Sequence, residues 1–509
     1  MPGANRLPYG GKYNRRPEWA DRIVKRSKRH AHSLVSFAAR MGIDLVKLID
    51  ISDPAGQVAA AHDLMHADSI WRGLDSETGH SVFLPNGTVV GKGEDGLPRL
   101  MDYASSGFPY GKTPVRGVNI GNWLVAEFWM DPGYNQPLND HAINAPYPNA
   151  IVDEWTAGQY SPYRYQEEVF KGHYESWFSR NEMRKIAQAG FNHVRLPIGF
   201  WAFGETNRGN EPYRTFNQYS KLIEACGWAR EFGLKVWIDL HGVPGSQNGF
   251  DNSGRSGPIE WTNDPDNISR TKYAFSRLVK TFNGPEWQGT VTAFEAINEP
   301  QGHNARVLRE LQNDYYPYSL GVVKDNAPSR LQVTHDAFIT PKAWENYYSK
   351  SDAKKVILDT HQYFIYSDSE HDADDSVRIR EVCALRGSLA RSAQHYATIV
   401  GEMSVCAPQG DNGKHRDLPA GKFHFTRPAD QYRYSKRYMA FLAWNFRTQQ
   451  AVFEQRGNGW IAWAWKNKAF RDWSVTDGIA DGWWPKNTAE YDNNPLGGDV
   501  DAVCRQVGA

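Results

Sequence analysis

The chain has 509 residues, enough for one large barrel or two to three ordinary domains, and its 58 lysines and arginines balance 58 aspartates and glutamates. That balance leaves no global field to recruit nucleic acid or an acidic membrane surface, so a monomer acting on a neutral or small partner is expected. Four scattered cysteines exclude a disulfide scaffold, and no run approaches the ~20 apolar residues of a membrane span or resembles an export signal, so the chain as written reads as intracellular.

Residues 1–33 carry nine basic against two acidic residues and read as a solvated basic tail. Leu34, Phe37, Met41, Leu45 and Leu48 recur at helical spacing, which predicts a helix over Ser33 to Ile49. Ser81 to Val90, with Asn86-Gly87 between apolar runs, predicts a hairpin. Residues 1–112 are therefore assigned to an N-terminal extension, and 113–509 to a second domain of different pattern. There, eight apolar strand candidates alternate with helical stretches: Arg116 to Ile120, Asn192 to Leu196, Lys235 to Leu240, Val291 to Ile297, Leu331 to Thr334, Lys355 to Asp359, Ala397 to Val400 and Gly459 to Trp463. Helices are predicted over Glu182 to Ala189 and Asn217 to Phe232, the latter stopped by Gly233. Eight such units in an α/β chain of this length predict a (β/α)8 TIM barrel, with a doubly wound sheet as the alternative. No G-x-G-x-x-G turn follows the first strand, so no dinucleotide cofactor is expected.

The strand ends are polar and often aromatic: Asn119 with Glu127, Arg195, His241, Asn298 with Glu299, His335, His361 with Tyr363, Glu402, then Trp463 and Trp465. Any one of them is unremarkable, but the C-terminal end of one barrel gathers all of them around one pocket. Two carboxyls there, Glu299 on the fourth strand and Glu402 on the seventh, suffice to break a glycosidic bond by either a retaining or an inverting course. Glu299 suits the acid and base, with Asn298 beside it for a sugar 2-hydroxyl. Glu402 suits a nucleophile kept ionised by Arg195 and oriented by Tyr363. Nineteen tryptophans also favour a sugar ligand, because indole faces match pyranose faces. The histidines lie singly on three strands without His-x-His or His-Glu-x-x-His pairing, so no catalytic metal is expected.

The ordered motifs Arg116 to Glu127, His241 to Gly254, Asn298-Glu299-Pro300, His335 to Phe338, His361-Gln362-Tyr363, Gly401 to Ser404 and Trp463 to Lys466 resemble glycoside hydrolase family 5, within it the fungal exo-β-1,3-glucanases. The resemblance spans residues 114 to 509. It implies a retaining hydrolase that releases terminal β-linked glucose from β-glucan by double displacement, with Glu299 as acid and base and Glu402 as nucleophile. Arg195, Asn298, His241, His361, Tyr363 and a tryptophan, Trp463 before Trp465, are implied around the first sugar. Glu127 and Asp251 are implied to hold its hydroxyls, and Phe250 with Tyr366, where phenylalanine is common, to clamp the entrance. Cys383 and Cys504 resemble a bridged pair of these enzymes, which are secreted. Asn122 stands where the family has glycine, and Ala126-Glu127-Phe128 where it has Leu-Glu-Pro. A β-glucosidase for small or lipid-linked glucosides is the alternative within the class, and a non-catalytic glycan-binding barrel the alternative outside it.

Overall fold

The computed structural model describes residues 82–83, 89–92, 98–101, 107–366, 370, 373–407, 434, 436–489 and 499–508. The basic tail and the helix expected over Ser33 to Ile49 lie outside them. The chain divides into two compact units, residues 1–102 and 103–509. In the first, β1 (Val82–Phe83), β2 (Val89–Lys92) and β3 (Pro98–Met101) form an antiparallel sheet, with Val82 opposite Val90 and Phe83 opposite Val89, the two strands of the hairpin expected over Ser81 to Val90. The third strand escaped the sequence reading because Pro98 opens it and its four residues carry no alternating pattern.

The second unit is built on a closed parallel barrel of β4 (Val115–Asn119), β5 (His193–Gly199), β6 (Lys235–Gly242), β7 (Val291–Glu295), β8 (Leu331–His335), β9 (Val356–Gln362), β10 (Ala397–Met403) and β11 (Gly459–Ala462). All eight predicted strands are present, and β11 pairs with β4 to close the ring, which decides for the barrel over the doubly wound sheet. Helices between the strands cover it, among them α1 (Arg180–Gln188), α2 (Gln218–Glu231), α3 (Pro265–Thr281), α4 (Asp375–Ala384), α5 (Lys436–Gln455) and α6 (Val500–Arg505). Their starts are chemical: Ser179 accepts the Glu182 N–H, and Asp264 caps α3 with Pro265 in its first turn. Gly233 ends α2 at φ +74°, a conformation glycine takes without strain. The Cys383–Cys504 disulfide joins α4 to α6, while Cys226 and Cys406 are buried thiols. No helix among the described residues is long and apolar enough to cross a membrane.

Side chains alternate along a strand, so every second residue points into the barrel. At the N-terminal end this inner face is apolar, a layer of Val115, Trp237, Ala293, Val333, Ile357, Ile399 and Ile461. Phe108 and Tyr110, on the extension side of residue 112 in sequence, pack against that layer and close the barrel floor. The Tyr110 hydroxyl accepts from the Trp237 indole at 2.9 Å and bonds His193 Nε2 at 2.8 Å and Thr292 Oγ1 at 2.7 Å. One hydroxyl thus satisfies three buried polar groups. Tyr110→Phe strands them, and an unfolding titration in urea should read a loss of about 1–3 kcal/mol, while turnover at the opposite end of the barrel stays unchanged.

Candidate active site

One layer above the floor, the same alternation turns polar. Arg195 on β5, Asp239 on β6, Glu295 on β7 and Asp359 on β9 all face inward and are fully buried. The Arg195 guanidinium donates through Nε and Nη2 to the two oxygens of Glu295 at 2.6 and 2.9 Å, and Nη2 lies 3.1 Å from Asp239 Oδ2. Nη2 also donates to Asn298 Oδ1 at 2.8 Å, and Nη1 to Asn119 Oδ1 at 3.0 Å and Glu402 Oε1 at 2.8 Å. Burial opposes its charge, yet Asp239 and Glu295 outweigh burial and hold it well above the usual arginine range.

Glu402 and Glu299 arrive by different backbone devices. On β10 the register slips between Val400 and Glu402, which pair with Thr360 and His361, so Gly401 is extra and Glu402 turns into the cleft. Its second oxygen accepts from the Tyr363 hydroxyl at 2.7 Å. Glu299 follows the end of β7 at φ +45°, a left-handed conformation that a residue with a side chain holds only when its surroundings dictate it. Here His361 Nδ1 lies 2.8 Å from its Oε1, and Asn252 Nδ2 donates to Oε2 at 3.0 Å. A Glu299 oxygen, a His361 nitrogen and a Glu402 oxygen all fall within 4.8 Å of one another. This triangle has the donor types of a metal site, and its members are already hydrogen-bonded to protein groups.

Above the pair opens a cavity of about 770 Å³, lined by Glu127, Asp251, Asn252, Glu299, His361, Tyr363, Glu402 and Trp463 among others. Its size suits a small organic ligand. Trp463 stacks nearly parallel to His241, and Gly121 makes room for it, since a Cβ there would come within 2.7 Å of the indole. His241 lies 2.5 Å from Asp239 through Nδ1, and burial with Arg195 lowers it to about 3, so it is a neutral ring behind the Asn298 amide. Phe250 and Tyr366 stand at the rim, 44% and 48% exposed, as an entrance pair would. Trp465 is directed elsewhere: β11 ends at Ala462, the alternation lapses, and its indole donates to Glu182 at 2.6 Å outside the cavity.

Asn122 explains its own departure from glycine. It adopts φ +54°, which asparagine tolerates, and its Oδ1 accepts the Glu127 N–H at 2.8 Å. The Glu127 carboxyl is buried, and burial plus Asp251 raise it well above the usual range. Its Oε2 accepts from the Trp129 indole at 3.1 Å, while its Oε1 has no hydrogen-bond partner among the described residues. Asp251 is raised by burial to about 6. Trp129 and Trp473, packed edge to face at 5.3 Å, form a wall that sequence reasoning missed. Asp239, Glu295 and Asp359 were missed too, although a signal existed. Asp239 and Asp359 stand two residues before His241 and His361, hence on the same strand face.

A parallel eight-stranded barrel that delivers carboxyls from its fourth and seventh strands to one cavity defines a hydrolase of glycosidic bonds. The sequence matches the cellulase family, glycosyl hydrolase family 5, over residues 163–469. The chain belongs to that family. It is 34% identical over 399 residues to the probable glucan 1,3-beta-glucosidase A of Aspergillus clavatus, covering 74% of this chain and 88% of that one. Identity to glucan 1,3-beta-glucosidase 1 of Schizosaccharomyces pombe is 31% over 359 residues, covering 70% and 84%. Among solved structures, rutinosidase from Aspergillus niger shares the fold, with a TM-score of 0.60, 17% identity and coverage of 74% and 99%.

Arg195 is the cation these buried acids share. Arg195→Met takes the guanidinium from Asp239, Glu295 and Glu402, and denaturant unfolding should show a loss of about 3–5 kcal/mol, the usual cost of removing one member of a buried ion pair.

Proposed function

We propose that the chain is a retaining, exo-acting β-glucan hydrolase that releases terminal β-linked glucose by double displacement. One oxygen of Glu299 and one of Glu402 lie within 4.8 Å of each other, and this approach carries the reading. A retaining pair stands about 5–5.5 Å apart, whereas an inverting pair leaves ~6.5–9.5 Å for a water between substrate and base. In the first step a Glu402 oxygen attacks the anomeric carbon as Glu299 protonates the departing oxygen, giving a glycosyl ester. In the second, Glu299 takes a proton from water, which displaces Glu402 and restores both carboxyls.

The donors around each carboxyl support these roles. Glu402 receives Arg195 and Tyr363, two donors that stabilise negative charge. Burial nevertheless raises it to about 7, against the pull of His361 and with Glu299 adding to the rise. Burial also raises Glu299, but His361 and Asn252 outweigh it and leave Glu299 low. That order is the reverse of what attack and protonation need, and the triangle supplies the remedy. His361 Nδ1 is 2.8 Å from Glu299 and 3.5 Å from Glu402, so a proton held on the imidazole can pass to Glu299 while Arg195 and Tyr363 keep Glu402 ionised. The geometry of the donors supports the assignment.

In this reading Asn298 bonds the sugar 2-hydroxyl, Trp463 meets the ring face, and Glu127 with Asp251 holds hydroxyls of a terminal residue. The relatives' names, glucan 1,3-beta-glucosidases, support a β-1,3-linked chain as the substrate. A product profile on laminarin-type and β-1,6-linked glucans and on small aryl and lipid glucosides tests that choice. Glu402→Ala should abolish turnover of every substrate. Glu299→Ala should lose about 10²- to 10⁴-fold on glucans and far less on glucosides with activated leaving groups. NMR of the first product should show the β-anomer, and an α-anomer would remove the double displacement.

A further inference from the structure

Asp359 lies beneath both carboxyls without touching the cavity, and each of its oxygens has a different task. Oδ1 accepts the Gly401 N–H at 2.7 Å. That N–H belongs to the extra residue of the β10 bulge, where the ladder passes from Val400–Thr360 to Glu402–His361. The Gly401 carbonyl is taken by Asn119 Nδ2 at 3.0 Å. Both polar groups of the bulge residue are thus bound by side chains, and a Cβ at Gly401 would come within 2.2 Å of the Asp359 carboxylate. The turn that aims Glu402 is therefore shaped around Asp359.

Oδ2 faces His361 Nε2 at 3.2 Å, and the other ring nitrogen faces Glu299 at 2.8 Å. An aspartate at Nε2 requires a proton there. Nδ1 is then left to accept a proton from Glu299 or to return one. Resting on the retaining reading above, we propose that Asp359 is a positioning residue for both carboxyls: it fixes the bulge that presents Glu402, and it fixes the His361 tautomer through which Glu299 is loaded with its proton. Burial lowers His361, but Glu402 and Asp359 outweigh it and hold the ring well above the usual histidine range. The other groups facing it are Arg195, Asp239, His241, Glu295, Asp336 and His335, whose ring meets the His361 ring edge-on at 4.5 Å. Burial keeps His335 neutral, with Nδ1 accepting the Ala337 N–H, so it does not compete for the Asp359 carboxylate.

Asp359→Asn separates the two tasks. Its carbonyl oxygen can still accept the Gly401 N–H, which turns its amide toward Nε2. Nε2 must then accept, Nδ1 keeps the ring proton, and Glu299 is held in the ionised form. Turnover of glucans and alkyl glucosides should fall about 10²-fold or more, while a dinitrophenyl glucoside, whose leaving group needs no proton, is cleaved nearly as by the wild type. Asp359→Ala frees the bulge as well and should slow both substrates, as a misplaced nucleophile does. Nitrogen-15 shifts of His361 should report protonated Nε2 in the wild type and unprotonated Nε2 in Asp359→Asn. Equal losses on both leaving groups in Asp359→Asn, no loss on either, or an unchanged tautomer overturns the proposal. A wild type inactive on every β-glucoside would instead sink the functional reading, and the tautomer measurement would still decide the role of Asp359.

Discussion

A single guanidinium organises the catalytic end of this barrel. Arg195 is fully buried, and its nitrogens reach side chains that originate on β4, β6, β7 and β10 and on the loop after β7. An isolated charge at such depth would cost several kcal/mol, and so would each of the acids around it. Together they are tolerable, and the planar fork of arginine fixes their directions as a lysine ammonium could not. Asn298 and Glu402, which come from loops and bulges, are referred to this one rigid group.

The floor and the cavity illustrate how one sheet supports opposite requirements. Near the N-terminal ends the inward residues are apolar, and the Trp237 indole, His193 and Thr292 there meet at the Tyr110 hydroxyl. Two or four residues further along β6, β7, β8 and β9, the inward positions are acids and imidazoles. The close-packed apolar layer resists deformation, while the strained backbone at Glu299 and the bulge at Gly401 are held by the polar side chains above it.

Much of this was readable from sequence because both signals are local. Apolar runs of four to seven residues marked every barrel strand, and the residues that leave those strands marked the catalytic pair. The acids below the pair were also within reach, since a two-residue period relates Asp239 to His241 and Asp359 to His361. Trp129 and Trp473 were not, because they come from loops far apart in sequence whose meeting is decided only when the barrel closes. The choice between Trp463 and Trp465 turned on where β11 stops, and strand ends are what a pattern specifies least. The Gly401 bulge is invisible for a related reason: a glycine in a strand hints at irregularity, but its partner, Asp359, lies on a neighbouring strand.

Glu127, Asp251, Glu299 and Glu402 all line the cavity, and of the lining residues only the two histidines, His361 and His303, can carry positive charge. Burial raises Glu127, His361 is held well above the usual histidine range and Arg195 backs Glu402 from below, so the negative potential is local to the Glu402 carboxylate rather than spread over the wall. A neutral glucosyl unit gains little from such a field, but an anomeric carbon that is losing its leaving group becomes cationic and is drawn down in energy by it. The same field would prefer a protonated nitrogen-containing sugar over its uncharged oxygen counterpart, so the cavity is electrostatically matched to a fleeting cation rather than to the stable sugar that enters it.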